Sequence, residues 1–156
     1  MSTPTTLRIK SESSEATEQL AAKIGRELKG GEIIELASDL GGGKTTFVRG
    51  LAQGAGSKDN VASPTFTISK MYDCPKFQIH HFDFYRLPDA GLMANELAEV
   101  VGDPKAVVVV EWADVVKEVL PARRLRVTIA QLPSAGGRQL TLSLPHDLHY
   151  LVRDIA

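Results

Sequence analysis

The sequence has little cysteine and no long apolar run. Cys74 is its one cysteine, so no internal disulfide can form and a reducing compartment is expected. It lies in the turn-like stretch Asp73 to Pro75 with no ligand spacing, which favours an incidental thiol. No segment approaches the roughly 18 apolar residues that span a bilayer, and the polar stretch Met1 to Ser11 is unlike a secretory signal. We therefore expect a cytoplasmic protein without a membrane partner.

The charge balance is also nearly neutral. The chain carries 18 Lys and Arg against 19 Asp and Glu, a net charge of −1, which gives no bulk attraction to nucleic acid. Arg123, Arg124 and Arg126 form one basic group that could contact a partner or RNA, although a solvated loop face is the more common explanation. A length of 156 residues predicts a single domain, 1–156.

Helical and strand-like patterns alternate through the middle of the chain. Four helices are predicted. The first begins after Ser13 or Ser14 as its cap, the second runs from about Lys44 to Gln53, the third contains Leu92 to Val100, and the fourth runs from Asp114 to Leu120. The predicted strands are Leu7 to Ile9, Glu32 to Ala37, Thr65 to Tyr72, Lys76 to Tyr85, Ala106 to Val110, Leu125 to Ala130 and Leu140 to Leu144. The pattern predicts an α/β fold with a mixed sheet, in which the apolar run ending at Val110 is buried on both faces.

A glycine-rich loop joins the second predicted strand to the second predicted helix. Its residues are Ser38, Asp39, Leu40, Gly41, Gly42, Gly43, Lys44, Thr45 and Thr46. The spacing matches the Walker A phosphate loop, G-x-x-x-x-G-K-[ST], except at its first position. Glycines let backbone N–H groups turn toward phosphates, and a helix N-terminus adds favourable charge. A glycine-rich turn followed by a helix-starting lysine is the alternative.

The loop predicts ATP or ADP as a ligand together with Mg²⁺. Lys44 can reach the β- and γ-phosphates, Thr45 can place its hydroxyl on Mg²⁺, and Thr46 can bind near the α-phosphate. Ser38 takes the place of the first glycine. If that position needs a positive φ angle, serine costs on the order of 1 kcal/mol there.

Two acidic residues stand where a phosphate loop needs a carboxylate. Glu111 follows the buried run ending at Val110, and the carboxyl end of such a strand is where α/β sheets present ligands. Trp112 comes next and could wall the site or stack near a base. Asp83 could orient water or hold Mg²⁺ through a water. A transition-metal site from His81 and Asp83 is a further alternative, but no third ligand has clear spacing.

Together these segments resemble the TsaE (YjeE) family, the small ATPase of bacterial tRNA threonylcarbamoyladenosine biosynthesis. The resemblance rests on four segments in one order: Asp39 to Thr46, Ser63 to Thr67 (Ser-Pro-Thr-Phe-Thr), His81 to Leu87 (His-Phe-Asp-Phe-Tyr-Arg-Leu) and Glu111 to Asp114 (Glu-Trp-Ala-Asp). It implies a P-loop NTPase-like mixed β-sheet flanked by helices, and a switch-like role for the segment that contains Thr65. It also implies that Asp83 and Glu111 are the acids of the site, with Trp112 beside them.

The resemblance further implies slow ATP hydrolysis and docking onto the TsaB–TsaD pair, with tRNA met indirectly through that complex. Ser38 departs from the family, which usually has glycine there. Two other functions stay open. A small-molecule kinase would need an acceptor pocket and an arginine-rich lid, for which Arg123 to Arg126 is the one candidate. A nucleotide-binding module without turnover is the other. A guanine-specific switch is disfavoured because the sequence has no Asn-Lys-x-Asp stretch.

Overall fold

Seven strands form one mixed sheet in the computed structural model, which describes residues 4–38, 43–62, 69–84, 91–133 and 137–155. The strands are β1 (Thr5–Ser11), β2 (Ile33–Ser38), β3 (Ser69–Asp73), β4 (Gln78–Asp83), β5 (Ala106–Glu111), β6 (Leu125–Gln131) and β7 (Arg138–Leu144), in the order β1-β7-β6-β2-β5-β4-β3. The helices are α1 (Ser14–Glu27), α2 (Lys44–Gly54) and α3 (Leu92–Val100). The predicted α/β fold with a mixed sheet is confirmed.

The central strands β4, β5, β2 and β6 are parallel. At the two sides, β3 and β7 run antiparallel to their central neighbours, and β1 pairs antiparallel with β7 and so runs in the direction of the central strands. Every residue of β5 is buried, as its unbroken apolar run predicts. The carboxyl ends of the four parallel strands meet at one edge of the sheet, and β2 leads from that edge into α2. In an open α/β sheet this is the edge that binds ligands.

The two faces of the sheet carry separate apolar clusters. Helices α1 and α2 cover one face, where Ile24 and Phe47 pack against Val109 and other strand residues. The second cluster includes Leu97 of α3 together with Val110. Ser13 caps α1, because its side-chain oxygen accepts a hydrogen bond of 3.0 Å from the backbone N–H of Ala16. The sheet thus lies between helical layers, and α2, which begins with the last three residues of the phosphate-loop motif, lies above one face.

Helices α1 and α2 contact each other through their backbones at three glycines. A Cβ atom added to Gly25 would lie 2.2 Å from the carbonyl oxygen of Leu51. Added to Gly50 or Gly54, it would lie 2.1 Å from a carbonyl oxygen of α1. No side chain fits at such distances, so glycine is required at these positions. The contact fixes α2, and with it Lys44, against α1.

The structure corrects the prediction for residues 114–120. Instead of a helix from Asp114 to Leu120, there is a short 3₁₀ helix, Ala113–Val116, followed by turns. A segment this short and bounded by Pro121 does not sustain an α-helix without extensive packing. A second 3₁₀ helix, His146–Val152, packs against α1 and was not predicted. Within the described ranges, no helix is both long enough and apolar enough to cross a membrane.

Candidate functional site

The phosphate-loop motif enters α2 at the carboxyl edge of the sheet. Gly43 is the N-cap of α2 and has φ 100°, a left-handed conformation that glycine adopts without a Cβ clash. Thr45 and Thr46 follow Lys44 in the first turn of the helix and are partly exposed. Asp39, Leu40, Gly41 and Gly42 lie outside the described residues, so their predicted contacts with phosphate stay predictions.

Ser38 is the last residue of β2, and its backbone is that of a strand. Outside glycine, Trp112 is the residue with a positive φ angle among those that the structure describes. The condition under which serine would strain the loop is therefore not met at Ser38. Its carbonyl oxygen also has a partner, because it accepts a hydrogen bond of 3.2 Å from Nζ of Lys44.

Lys44 is buried, with 8% of its surface exposed. Its Nζ atom lies 4.0 Å from Oε1 of Glu111 and 4.8 Å from the centroid of the Trp112 ring. A buried ammonium group is costly unless charge and hydrogen bonds compensate it. The carboxylate, the aromatic face and the Ser38 carbonyl provide that compensation. The ammonium group of Lys44 therefore lies at the N-terminus of α2, where an anion would bind.

Glu111 is held from its other side by His81. The Nε2 atom of His81 lies 2.5 Å from Oε2 of Glu111, and both side chains are buried. Nδ1 of His81 is buried and has no hydrogen-bond partner among the described residues. A proton on Nδ1 would be a buried donor without an acceptor, so we assign Nε2 as the ring nitrogen that carries the shared proton. His81 then donates to Oε2, and Oε1 faces Lys44.

Asp83 ends β4 beside Glu111, which ends β5. The two residues are register partners in the parallel pair, so their Cα atoms lie about 5 Å apart across neighbouring strands. The ladder continues past them, since the N–H of Phe84 donates to the carbonyl oxygen of Glu111 at 3.1 Å. Across the described part of the chain, no three His, Cys, Asp or Glu side chains group as a metal cluster. The two predicted acids are thus neighbours at the carboxyl edge.

Trp112 adopts a left-handed backbone, with φ 57° and ψ 57°. This conformation costs a non-glycine residue on the order of 1 kcal/mol. It turns the chain from β5 into the 3₁₀ helix and leaves the indole beside Lys44. A pocket of about 170 Å³ opens next to these two residues and extends to Glu35 and Arg126. Trp112 therefore lines this pocket together with Lys44, and its predicted role beside a nucleotide stays a prediction.

The basic group lies largely at the opposite end of β6. The Nε atom of Arg123 is 2.6 Å from Oδ2 of Asp147, and that of Arg124 is 2.8 Å from Oε1 of Glu35. Both arginines precede β6, and the span of strand between them and the phosphate-loop edge is about 13 Å. Arg126, which is half exposed, borders the pocket.

One residue near the site was not anticipated from the sequence. Arg138 begins β7, and its Nε atom lies 3.8 Å from the position that a Cβ atom would take on Gly43. No local pattern indicates this, because the contact arises from the order of strands in the sheet. Ser63 to Thr67 and Tyr85 to Leu87, which the family resemblance also includes, lie outside the described residues.

Comparisons with known proteins agree with the sequence motifs. The family described as threonylcarbamoyl adenosine biosynthesis protein TsaE matches residues 11–140. The tRNA threonylcarbamoyladenosine biosynthesis protein TsaE of Bacillus subtilis is 39% identical over 117 residues, covering 74% of this chain and 72% of that protein. The protein of the same name from Treponema pallidum is 31% identical over 137 residues, covering 88% of this chain and all of that protein.

A solved structure supports the same assignment. The crystal structure of Bacillus subtilis YdiB superposes with a TM-score of 0.80 and 29% sequence identity, covering 99% of this chain and 96% of that chain. The predicted P-loop-like fold is thereby confirmed. The match over residues 11–140 and the identities to TsaE proteins lead to one conclusion: the chain belongs to the TsaE family.

Proposed function

We propose that this protein binds ATP together with Mg²⁺ at the edge formed by residues 38–46 and hydrolyses it slowly. The observation that carries the proposal is the placement of Lys44. Its buried Nζ lies at the N-terminus of α2, 4.0 Å from a carboxylate oxygen of Glu111. A cation at a helix N-terminus favours the binding of a polyanion such as a triphosphate. The Glu111 carboxylate on the neighbouring strand would lie near the γ-phosphate, where hydrolysis needs an acidic residue.

Catalysis at such a site is largely electrostatic. Lys44 and the backbone N–H groups at the start of α2 would stabilise the charge that spreads over the γ-phosphoryl oxygens. Glu111 or Asp83 would orient the attacking water. The hydroxyl of Thr45 and the carboxylate of Glu111 are oxygen donors of the kind that Mg²⁺ prefers. When bound, Mg²⁺ neutralises phosphate charge.

In its biological role, we propose that the protein is an accessory ATPase in the formation of threonylcarbamoyladenosine in tRNA. Its similarity to proteins named for that biosynthesis supports the role. The partners would be TsaB and TsaD, and tRNA would be met through their complex. The net charge of −1 is consistent with indirect rather than direct contact with tRNA. We place the protein in the cytoplasm, where tRNA is modified.

The geometry does not favour a small-molecule kinase. Arg123 and Arg124 are ion-paired at the amino end of β6, away from Lys44, so of the three arginines proposed for a lid Arg126 alone borders the pocket. A nucleotide-binding module without turnover is disfavoured by the juxtaposition of Lys44 with Glu111, and of Glu111 with Asp83.

The test is Mg²⁺-dependent ATP hydrolysis by the purified protein, alone and with TsaB and TsaD, with Lys44→Ala as the blank. We expect slow turnover that rises with the partners and disappears in the blank. Isothermal titration with ADP should show that Lys44→Ala also loses most nucleotide binding. Unchanged affinity in that variant would overturn the assignment of the phosphate site. Binding without turnover in either setting would favour the nucleotide-binding module.

A further inference from the structure

Arg138 is brought to the candidate phosphate site from a distant part of the chain. It is the first residue of β7 and pairs in register with Gln131, the last residue of β6. Because β6 runs parallel to β2, the β6–β7 turn lies at the carboxyl edge of the sheet. There the Nε atom of Arg138 lies 3.8 Å from the position that a Cβ atom would take on Gly43, the N-cap of α2.

The side chain crosses a neighbouring strand to reach this point. Strand β6 lies between β7 and β2, so the backbone of Arg138 is about 10 Å from β2. An extended arginine side chain can bridge that distance. Nη1 donates to the carbonyl oxygen of Gly137 at 3.0 Å, which anchors one end of the guanidinium next to the turn. Arg138 is partly buried rather than fully exposed to solvent.

The chemistry of this placement is that of phosphate recognition. Arginine presents several N–H donors in a planar fork, and its charge persists across the physiological pH range. Gly43 marks the start of α2, where backbone N–H groups also point outward toward an anion. A guanidinium and a helix N-terminus that meet within a few ångströms favour the same ligand group.

We propose that Arg138 is a nucleotide-binding residue that contacts the α- and β-phosphate part of ATP or ADP. This inference rests on the proposed function. The order of strands in the sheet determines from which side of β2 Arg138 approaches the nucleotide. Glu111 and Asp83 lie on β5 and β4, on one side of β2, whereas Arg138 approaches across β6 from the other side. The hydrolysed end of the nucleotide lies with the acids, so Arg138 meets the end that ATP and ADP share.

The test compares the affinities of the wild-type protein, Arg138→Gln and Arg138→Lys for ADP and for a non-hydrolysable ATP analogue, by isothermal titration with Mg²⁺ present. We expect Arg138→Gln to raise both dissociation constants about tenfold and by similar factors. Arg138→Lys should restore part of the affinity, because it keeps the charge but not the fork.

Arg8→Gln is the matched control, because it removes the same charge from an exposed position of β1. Its affinities should equal those of wild type, and thermal melts should show that all variants are folded. Unchanged affinity in Arg138→Gln, with wild type binding normally, would overturn this inference and leave the proposed function standing. A loss of affinity for the ATP analogue alone would move the contact to the γ-phosphate and overturn the placement. If wild type bound neither nucleotide, the proposed function would fall, and this inference with it.

Discussion

His81 and Glu111 form a buried hydrogen bond of 2.5 Å between Nε2 and Oε2. The bond joins neighbouring parallel strands, β4 and β5, just below the edge at which Lys44 stands. It occupies one carboxylate oxygen and leaves Oε1 directed toward the lysine. This bond fixes the rotation of the carboxylate, so in the proposed ATP site His81 would be a positioning residue.

Replacing His81 should separate turnover from binding. In His81→Phe the ring remains but the donor is lost, so Glu111 can rotate. We expect kcat for ATP to fall about tenfold, as is typical when a residue that orients a site ligand loses its hydrogen bond. ADP affinity should change by less than about threefold, because His81 does not face the phosphates. His81→Gln, which keeps a donor, should recover part of the activity. Equal kcat in all three proteins would contradict a positioning role.

Glu111→Gln should impair turnover more than binding. The change removes a negative charge 4.0 Å from Nζ of Lys44 and keeps the shape of the side chain. Because that carboxylate would repel the phosphates when Mg²⁺ is absent, ADP affinity measured without Mg²⁺ should be unchanged or higher. Turnover should fall about a hundredfold if Glu111 orients the water. Single-turnover hydrolysis and titration with ADP separate the two effects. Wild-type turnover in Glu111→Gln would remove it from the site acids, with Asp83→Asn as the next variant.

Ser38→Gly should bring no gain in nucleotide affinity. Serine lies here in strand conformation, so glycine relieves no strain. We expect the dissociation constant for ADP to stay within about twofold of wild type, and the free energy of unfolding to drop by roughly 0.5–1 kcal/mol, the usual effect of glycine in a strand. Titration and urea unfolding measure both. Affinity that rises tenfold or more would show that the serine does hinder the loop.

Gly50→Ala should destabilise the protein and weaken its phosphate site. The new methyl group would stand 2.1 Å from the carbonyl oxygen of Glu18, so the two helices must separate. We expect unfolding free energy to fall by about 2 kcal/mol, despite the higher helix propensity of alanine. Gln53→Ala, at an exposed position of the same helix, should change it by less than about 0.5 kcal/mol. Equal urea midpoints for the two variants would refute the close contact.

Cys74 should react slowly with thiol reagents. Burial, aided by the nearby charges of Asp59 and Asp73, raises the pKa of its thiol to about 11. The thiolate is the reactive species, so a rise from 9.0 lowers its fraction about a hundredfold at neutral to mildly alkaline pH. The rate of alkylation should increase with pH up to about 11 in the folded protein and return to that of a free thiol in urea. A fast reaction at pH 7 would indicate a different environment.

The sequence predicted what depends on local pattern. The run ending at Val110 gave a buried strand, and the glycine and lysine at positions 43 and 44 gave the start of α2, because each signal lies within a few neighbouring residues. Glu111 was expected at the end of its strand, where β5 has it, whereas Asp83 was placed inside a predicted strand that ran on to Tyr85. The pairing of the two residues required the strand order. The contact of Arg138 with the α2 N-terminus and the contact of His81 with Glu111 depend on which strands are neighbours in the sheet. The local hydrophobic pattern of the sequence does not indicate strand order.

The candidate site is assembled from four separate parts of the chain: the end of β2 with the start of α2, and residues of β4, β5 and β7. Its parallel strands can meet only after the crossovers between them have formed, and such non-local pairing is slow. A partly folded chain therefore has no complete site, and a nucleotide would bind only to the finished fold. At a concentration 100 times its dissociation constant, such a ligand adds about 2.7 kcal/mol to stability. Binding of the nucleotide would thus shift the folding equilibrium of newly made chains toward the native state.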